Sequence, residues 1–115
     1  MRIVKESPTP VVVVECLHSR LDHKVSDRFK EEVWIATSGR TARLVVDLTQ
    51  VEFMDSTALA VLICLLKRMG GSGDVVICGL RRSLRTFLSL THMDRVFRVF
   101  PDVESAVAKL AVVAA

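Results

Sequence analysis

Arg43-Leu44-Val45-Val46-Asp47 and Asp55-Ser56-Thr57-Ala58-Leu59 are the two stretches that decide how this chain folds. The first is a short β-branched apolar run closed by an acid, which reads as a buried strand. The second opens the long apolar pattern from Leu59 to Met69, which predicts a helix over about Ser56 to Met69. The Ser-Thr pair therefore falls at a helix start, just beyond the end of a sheet. A helix start carries unpaired N–H groups and a positive partial charge. It can hold a phosphate without local unfolding. A hydroxyl placed there can be switched between neutral and about −1.5 to −2 charge.

Outward from this centre, the same alternation continues. Upstream, Met1 to Lys5 alternates weakly, Ser7-Pro8-Thr9-Pro10 marks a turn, and Val11 to Cys16 reads as a strand, so the first two strands pair as a hairpin on one edge. A helix follows Val25-Ser26-Asp27, with Val25, Phe29, Val33 and Ile35 or Ala36 apolar and Gly39 as its stop. Leu48 to Phe53 is a linking turn. Gly70-Gly71-Ser72-Gly73 ends the second helix, and Asp74 to Cys78 is another strand. Arg81 to Thr91 predicts a third helix with Leu84, Phe87, Leu88 and Leu90 apolar. Val96 to Phe100 is a last strand. Pro101-Asp102 opens a terminal helix with Val103, Ala106, Val107 and Leu110 apolar. Strands alternating with helices predict an α/β fold: a mostly parallel or mixed sheet of four to five strands with about four helices, one domain over residues 1–115. In such sheets function gathers beyond the carboxyl ends of the strands, where Asp55 and Ser56 fall.

Composition bounds the function classes. The 115 residues suit one hydrophobic core, and with half of them hydrophobic and a quarter charged the chain reads as globular and soluble. One Trp, five Phe and no Tyr argue against base stacking. A net charge of +3 permits an acidic partner without demanding DNA. Cys16, Cys64 and Cys78 form no metal spacing, two of them fall in apolar patterns that fit core packing, and a reducing compartment suits them. No metal, cofactor or targeting segment is expected. Val11 to Val14 is too short for a signal core, and Ala58 to Leu66 is too short to span a bilayer. The expected location is the cytoplasm.

A wheel of the Ser56 helix places Leu59, Leu62, Ile63, Leu66 and Met69 on one face, against the sheet. The opposite stripe carries Thr57, Ala60, Val61, Cys64 and Arg68, where an ordinary surface helix would carry charge. Two readings are open: a loop or another helix covers the stripe, or it docks a protein. The second is favoured because a switchable hydroxyl borders the patch. Ser56 itself can be a plain helix cap. Leu59 stands where a capping box needs Glu or Gln, so Asp55 is the other candidate cap, and it would leave the Ser56 hydroxyl free.

These residues resemble a STAS domain, specifically the anti-anti-sigma factor family (anti-sigma factor antagonists). The resemblance covers nearly the whole chain. It rests on Arg20-Leu21-Asp22, Leu44-Val45-Val46-Asp47-Leu48 and Val51-Glu52-Phe53-Met54-Asp55-Ser56-Thr57-Ala58-Leu59, then Gly71 and Val75-Val76-Ile77-Cys78. It implies partner switching. The unphosphorylated antagonist binds an anti-sigma factor, a serine kinase of the histidine-kinase-like ATPase type, and so frees the sigma factor. The kinase phosphorylates the serine after the aspartate, here Ser56, and the complex dissociates. A metal-dependent serine phosphatase restores the binding form. Asp22 resembles the family's acidic residue near this site, or is a turn aspartate. The outer stripe of the wheel and the resemblance together make Asp22, Asp55, Ser56, Thr57, Ala58, Ala60, Val61, Cys64 and Arg68 the expected partner-binding set, on a monomer or weak dimer. Two positions depart from the family pattern: Ala58 replaces a Gly, and Ser19 replaces the Gly before the Asp22 position.

Rival readings are weaker. Asp47 ends a strand as a receiver's phospho-acceptor does, but Val14-Glu15-Cys16 offers one acid where magnesium needs a pair. A nucleophilic Ser56 needs a base. His18, His23 and His92 have no motif tying them to it, and no G-x-S-x-G elbow is present. The chain is therefore not expected to be an enzyme. Arg81, Arg82, Arg85, Arg95 and Arg98 read as a solvated basic face rather than a nucleic-acid site. A further alternative keeps the fold and drops the phosphorylation: a scaffold subunit of a signalling assembly or of a lipid-transport system.

Overall fold

The structure, a computed structural model, describes residues 2–5, 11–37, 43–69 and 75–113. The expected turn at Ser7 to Pro10, the stop at Gly39, the strand start at Asp74 and the Gly70-to-Gly73 terminator lie outside the described residues. The elements run β1 (Arg2–Lys5), β2 (Val11–Glu15), β3 (Arg20–Leu21), α1 (Ser26–Ala36), β4 (Arg43–Asp47), β5 (Phe53–Met54), α2 (Ser56–Arg68), β6 (Val75–Cys78), α3 (Arg82–Leu90), a single 3₁₀ turn (Met93–Arg95), β7 (Arg98–Phe100) and α4 (Val103–Val113).

Valine-rich runs build the centre. β2, β4 and β6 are buried nearly throughout, as strands covered on both faces must be. The main sheet has five strands in the order β1-β2-β4-β6-β7. β1 pairs antiparallel with β2, and the other three pairings are parallel. Register sorts side chains by face, since neighbours along a strand alternate. Val12, Leu44 and Val75 face α1, α2 and α3, as do Val14, Val46 and Ile77. Val11, Val13, Val45, Val76 and Cys78 face α4, whose Ala106 and Leu110 seal that side. The Arg43 guanidinium is buried and donates from Nη1 to the Leu110 carbonyl, tying β4 to α4.

Several expectations are corrected. Residues 20–21 and 53–54 form a second, two-stranded parallel sheet, so the linking turn after β4 ends before Phe53. In α1, Ile35 is 75% exposed, and Thr37 is buried just past the helix end. In α3, Leu84 and Leu88 are buried, but Leu90, at the far end, is 77% exposed. The last strand starts at Arg98 rather than Val96, because the Val96 and Phe97 N–H groups donate back to the Met93 carbonyl and close the 3₁₀ turn.

Candidate functional site

The small β3/β5 sheet sets up the site. Arg20 pairs with Phe53 and Leu21 with Met54, and the Arg20 guanidinium lies 4.2 Å from the centre of the Phe53 ring. The Glu52 N–H donates to the Ser19 carbonyl at 2.7 Å. The segments 19–22 and 52–55 therefore arrive side by side, each delivering its chain to a helix start.

Asp55 is the cap of α2. Its Oδ1 accepts from the Thr57 N–H at 2.9 Å, the Ala58 N–H at 3.4 Å and the Thr57 hydroxyl. Its Oδ2 accepts from the His23 N–H at 3.0 Å. The Thr57 hydroxyl above all holds the Asp55 carboxyl below the usual carboxylate range; desolvation opposes it, and these N–H groups add to the lowering. Ser56 is the first residue of the helix and is exposed. Among the described residues its hydroxyl has no hydrogen-bond partner. Asp55, rather than Ser56, thus satisfies the orphan donors.

Thr57 and Ser26 join the two helices. Ser26, buried at the start of α1, has its Oγ 3.0 Å from Thr57 Oγ1 and 2.7 Å from the Asp22 carbonyl. A hydroxyl has one proton to donate. Thr57 gives its proton to the charged Asp55 oxygen, so Ser26 is the donor toward Thr57 or Asp22. The Asp22 carboxylate is engaged within its own loop: Oδ1 accepts from the Lys24 N–H at 3.0 Å, and Oδ2 lies 3.6 Å from Arg20 Nε. Asp22 reaches the α2 start through its carbonyl and Ser26.

α1 and α2 lie side by side in the same direction, with Ser26 against Thr57 at one end. At the other, the Arg68 guanidinium sits 3.2 Å from the centre of the Trp34 ring. Three adjoining depressions of about 190, 270 and 570 Å³ follow this seam and the outer face of α2, and Cys64 lines all three. Ala60, Cys64 and Arg68 form the exposed stripe that the wheel expects. Ala58 and Val61 do not belong to it. Ala58 is fully buried and Val61 is 4% exposed, because α2 packs on α1 as well as on the sheet, which widens its buried arc. Leu65 is buried for the same reason, while Ile63 and Leu66 are only partly buried. Ser26, Lys30 and Trp34, the α1 side of the seam, were missed by the sequence reading. Their spacing of four residues along one helix face is the signal that could have found them.

The remaining candidates stand apart from this site. The Asp47 carboxylate accepts from the Thr49 N–H at 3.0 Å and from the Thr49 hydroxyl. His18 Nε2 lies 2.8 Å from Glu32. Cys16 and Cys78 are the buried cysteines, and burial pushes their thiols up to about 11 and about 12. Among the described residues no three His, Cys, Asp or Glu side chains gather as a metal site. No helix there is long and apolar enough to cross a membrane.

A sequence profile of the STAS domain matches residues 2–106. Among solved structures, a candidate anti-sigma factor antagonist from Thermotoga maritima is 25% identical, with a TM-score of 0.74 over 89% of this chain and 92% of that one. An anti-sigma-factor antagonist (STAS) domain protein from Planctomyces limnophilus is 22% identical, with a TM-score of 0.78 over 96% of this chain and 97% of that one. The murine anion transporter Slc26a9 is 20% identical, with a TM-score of 0.77 over 89% of this chain but only 18% of the transporter.

Proposed function

The chain belongs to the STAS domain family, and from that premise we propose that it is an anti-sigma factor antagonist that works by partner switching at Ser56. Unphosphorylated, it binds a serine kinase of the histidine-kinase-like ATPase type that otherwise sequesters a sigma factor. The kinase transfers a phosphoryl group to Ser56 Oγ and the complex separates. A metal-dependent serine phosphatase restores the binding form. The chain is itself no enzyme in this scheme. It takes no cofactor, contacts neither nucleic acid nor membrane, and acts in the cytoplasm as a monomer or weak dimer.

The observation that carries this reading is the division of labour between Asp55 and Ser56. Asp55 uses its carboxylate to cap α2, and the adjacent Ser56 residue stays exposed, its hydroxyl unbonded among the described residues. A phosphate there meets the positive end of α2 within the free protein. Its charge stands beside the Asp55 carboxylate and the Ala60–Cys64 stripe, so docking of an apolar partner surface is opposed by repulsion and desolvation. The fold survives while the interface fails.

The test is intact-mass spectrometry after incubation with ATP, magnesium and lysate of the source organism, with wild type and Ser56→Ala in parallel. The expected result is one added phosphate on wild type and none on Ser56→Ala. An unmodified wild type, in a lysate shown to hold an active kinase of this class, would move the reading to a non-phosphorylated scaffold or transport module.

A further inference from the structure

The two ends of the α1–α2 seam differ in chemistry. The Thr57 end is uncharged on α2 as far as Ala60 and Cys64. The Trp34 end carries Lys67 and Arg68 against one acid, Glu31, while Lys30 stands midway along the seam and Asp27 lines the Thr57 end. None of those three cations makes an ion pair among the described residues, and Arg68 rests on the Trp34 ring. An ordinary helix end would place such cations for its own dipole. Here they also rim the depressions that continue to the Ser56 end.

We propose that this seam docks an amphipathic segment of the partner, with its apolar stripe on Ala60 and Cys64 and its carboxylates against Lys67 and Arg68. The inference rests on the partner-switch reading and adds the polarity of docking. Charge complementarity identifies the occupant. Cations that make no ion pair among the described residues, flanking an apolar trough, favour an acidic-ended segment and repel a basic-ended one. The thirteen residues of α2 span about 20 Å. That exceeds the Debye length of about 8 Å at physiological ionic strength. A phosphate at Ser56 therefore cannot cancel the basic end. The basic end orients and steers the partner, and the Ser56 end decides whether it stays.

The probes are two helical peptides with the same Leu/Ala stripe, one bearing Glu at one end and the other Lys in those places. Each is titrated into the isotopically labelled full chain and followed by amide chemical shifts. The Glu peptide is expected to shift Ala60, Cys64 and Arg68 and to bind about tenfold more tightly than the Lys peptide. A nitroxide on its acidic end should broaden Trp34 and Arg68 and spare Thr57. The K67E/R68E double variant should lose the preference and keep its dispersed spectrum. No shift with either peptide, equal affinity for both, or broadening at Thr57 would overturn the proposal. None of these outcomes bears on whether Ser56 is phosphorylated, which the mass measurement decides separately.

Discussion

At the scale of single residues, two neighbours at the start of α2 do different jobs. Asp55 has both carboxylate oxygens in use, and the Thr57 hydroxyl that it accepts is itself held by Ser26. The Asp55 carboxyl is held low in the folded chain, so its stabilisation is fully present above the ordinary carboxylate value of about 4 and is lost as pH falls through the lower folded value. Asp102, held low by Ser105, acts in the same direction. Urea denaturation of Asp55→Asn across the acid range should show a flatter loss of stability than wild type, whereas Ser56→Ala should follow wild type. Ser26→Ala removes a buried hydroxyl with two neighbours and should cost about 1 kcal/mol by the same measurement. The sequence shows that Asp55 can cap and that Ser56 is then free. It does not show Ser26, because a serine at a helix start looks the same whether it faces water or another helix.

The elements teach how far periodicity reaches. Val-rich runs of four or five residues identify β2, β4 and β6, because strands buried on both faces read as continuous apolar stretches. β3 and β5 are two residues each, shorter than any alternation can reveal, and hydrogen bonds between distant segments define them. In α2 the wheel finds the direction of the core but not the width of the buried arc. Val61 and Leu65 are covered because α1 lies alongside, a fact of tertiary placement. Leu62→Ala should therefore cost about 2–5 kcal/mol, while Cys64→Ser, on the open stripe, should stay within about 0.5 kcal/mol of wild type, both read from urea midpoints. Just past β6, Gly79 has φ +75°, and a Cβ there would clash with Thr49 Oγ1. Gly79→Ala combines a disfavoured backbone with a clash. It should lower stability by more than the roughly 1 kcal/mol that backbone strain alone imposes.

For the whole molecule, the arrangement separates the packed cores from the exposed start of α2. The sheet is sealed on one side by α4 and on the other by α1, α2 and α3. Ser56 lies at the rim of that second layer, exposed, while the residues just inside it are buried. A charge added there alters the surface and leaves both cores untouched. The most direct measurement is calorimetric titration of the proposed kinase partner against unmodified and fully Ser56-phosphorylated protein. The account predicts the same cooperative fold for both forms and an affinity about 100-fold weaker after phosphorylation, or roughly 2.7 kcal/mol. Equal affinity for the two forms would contradict it.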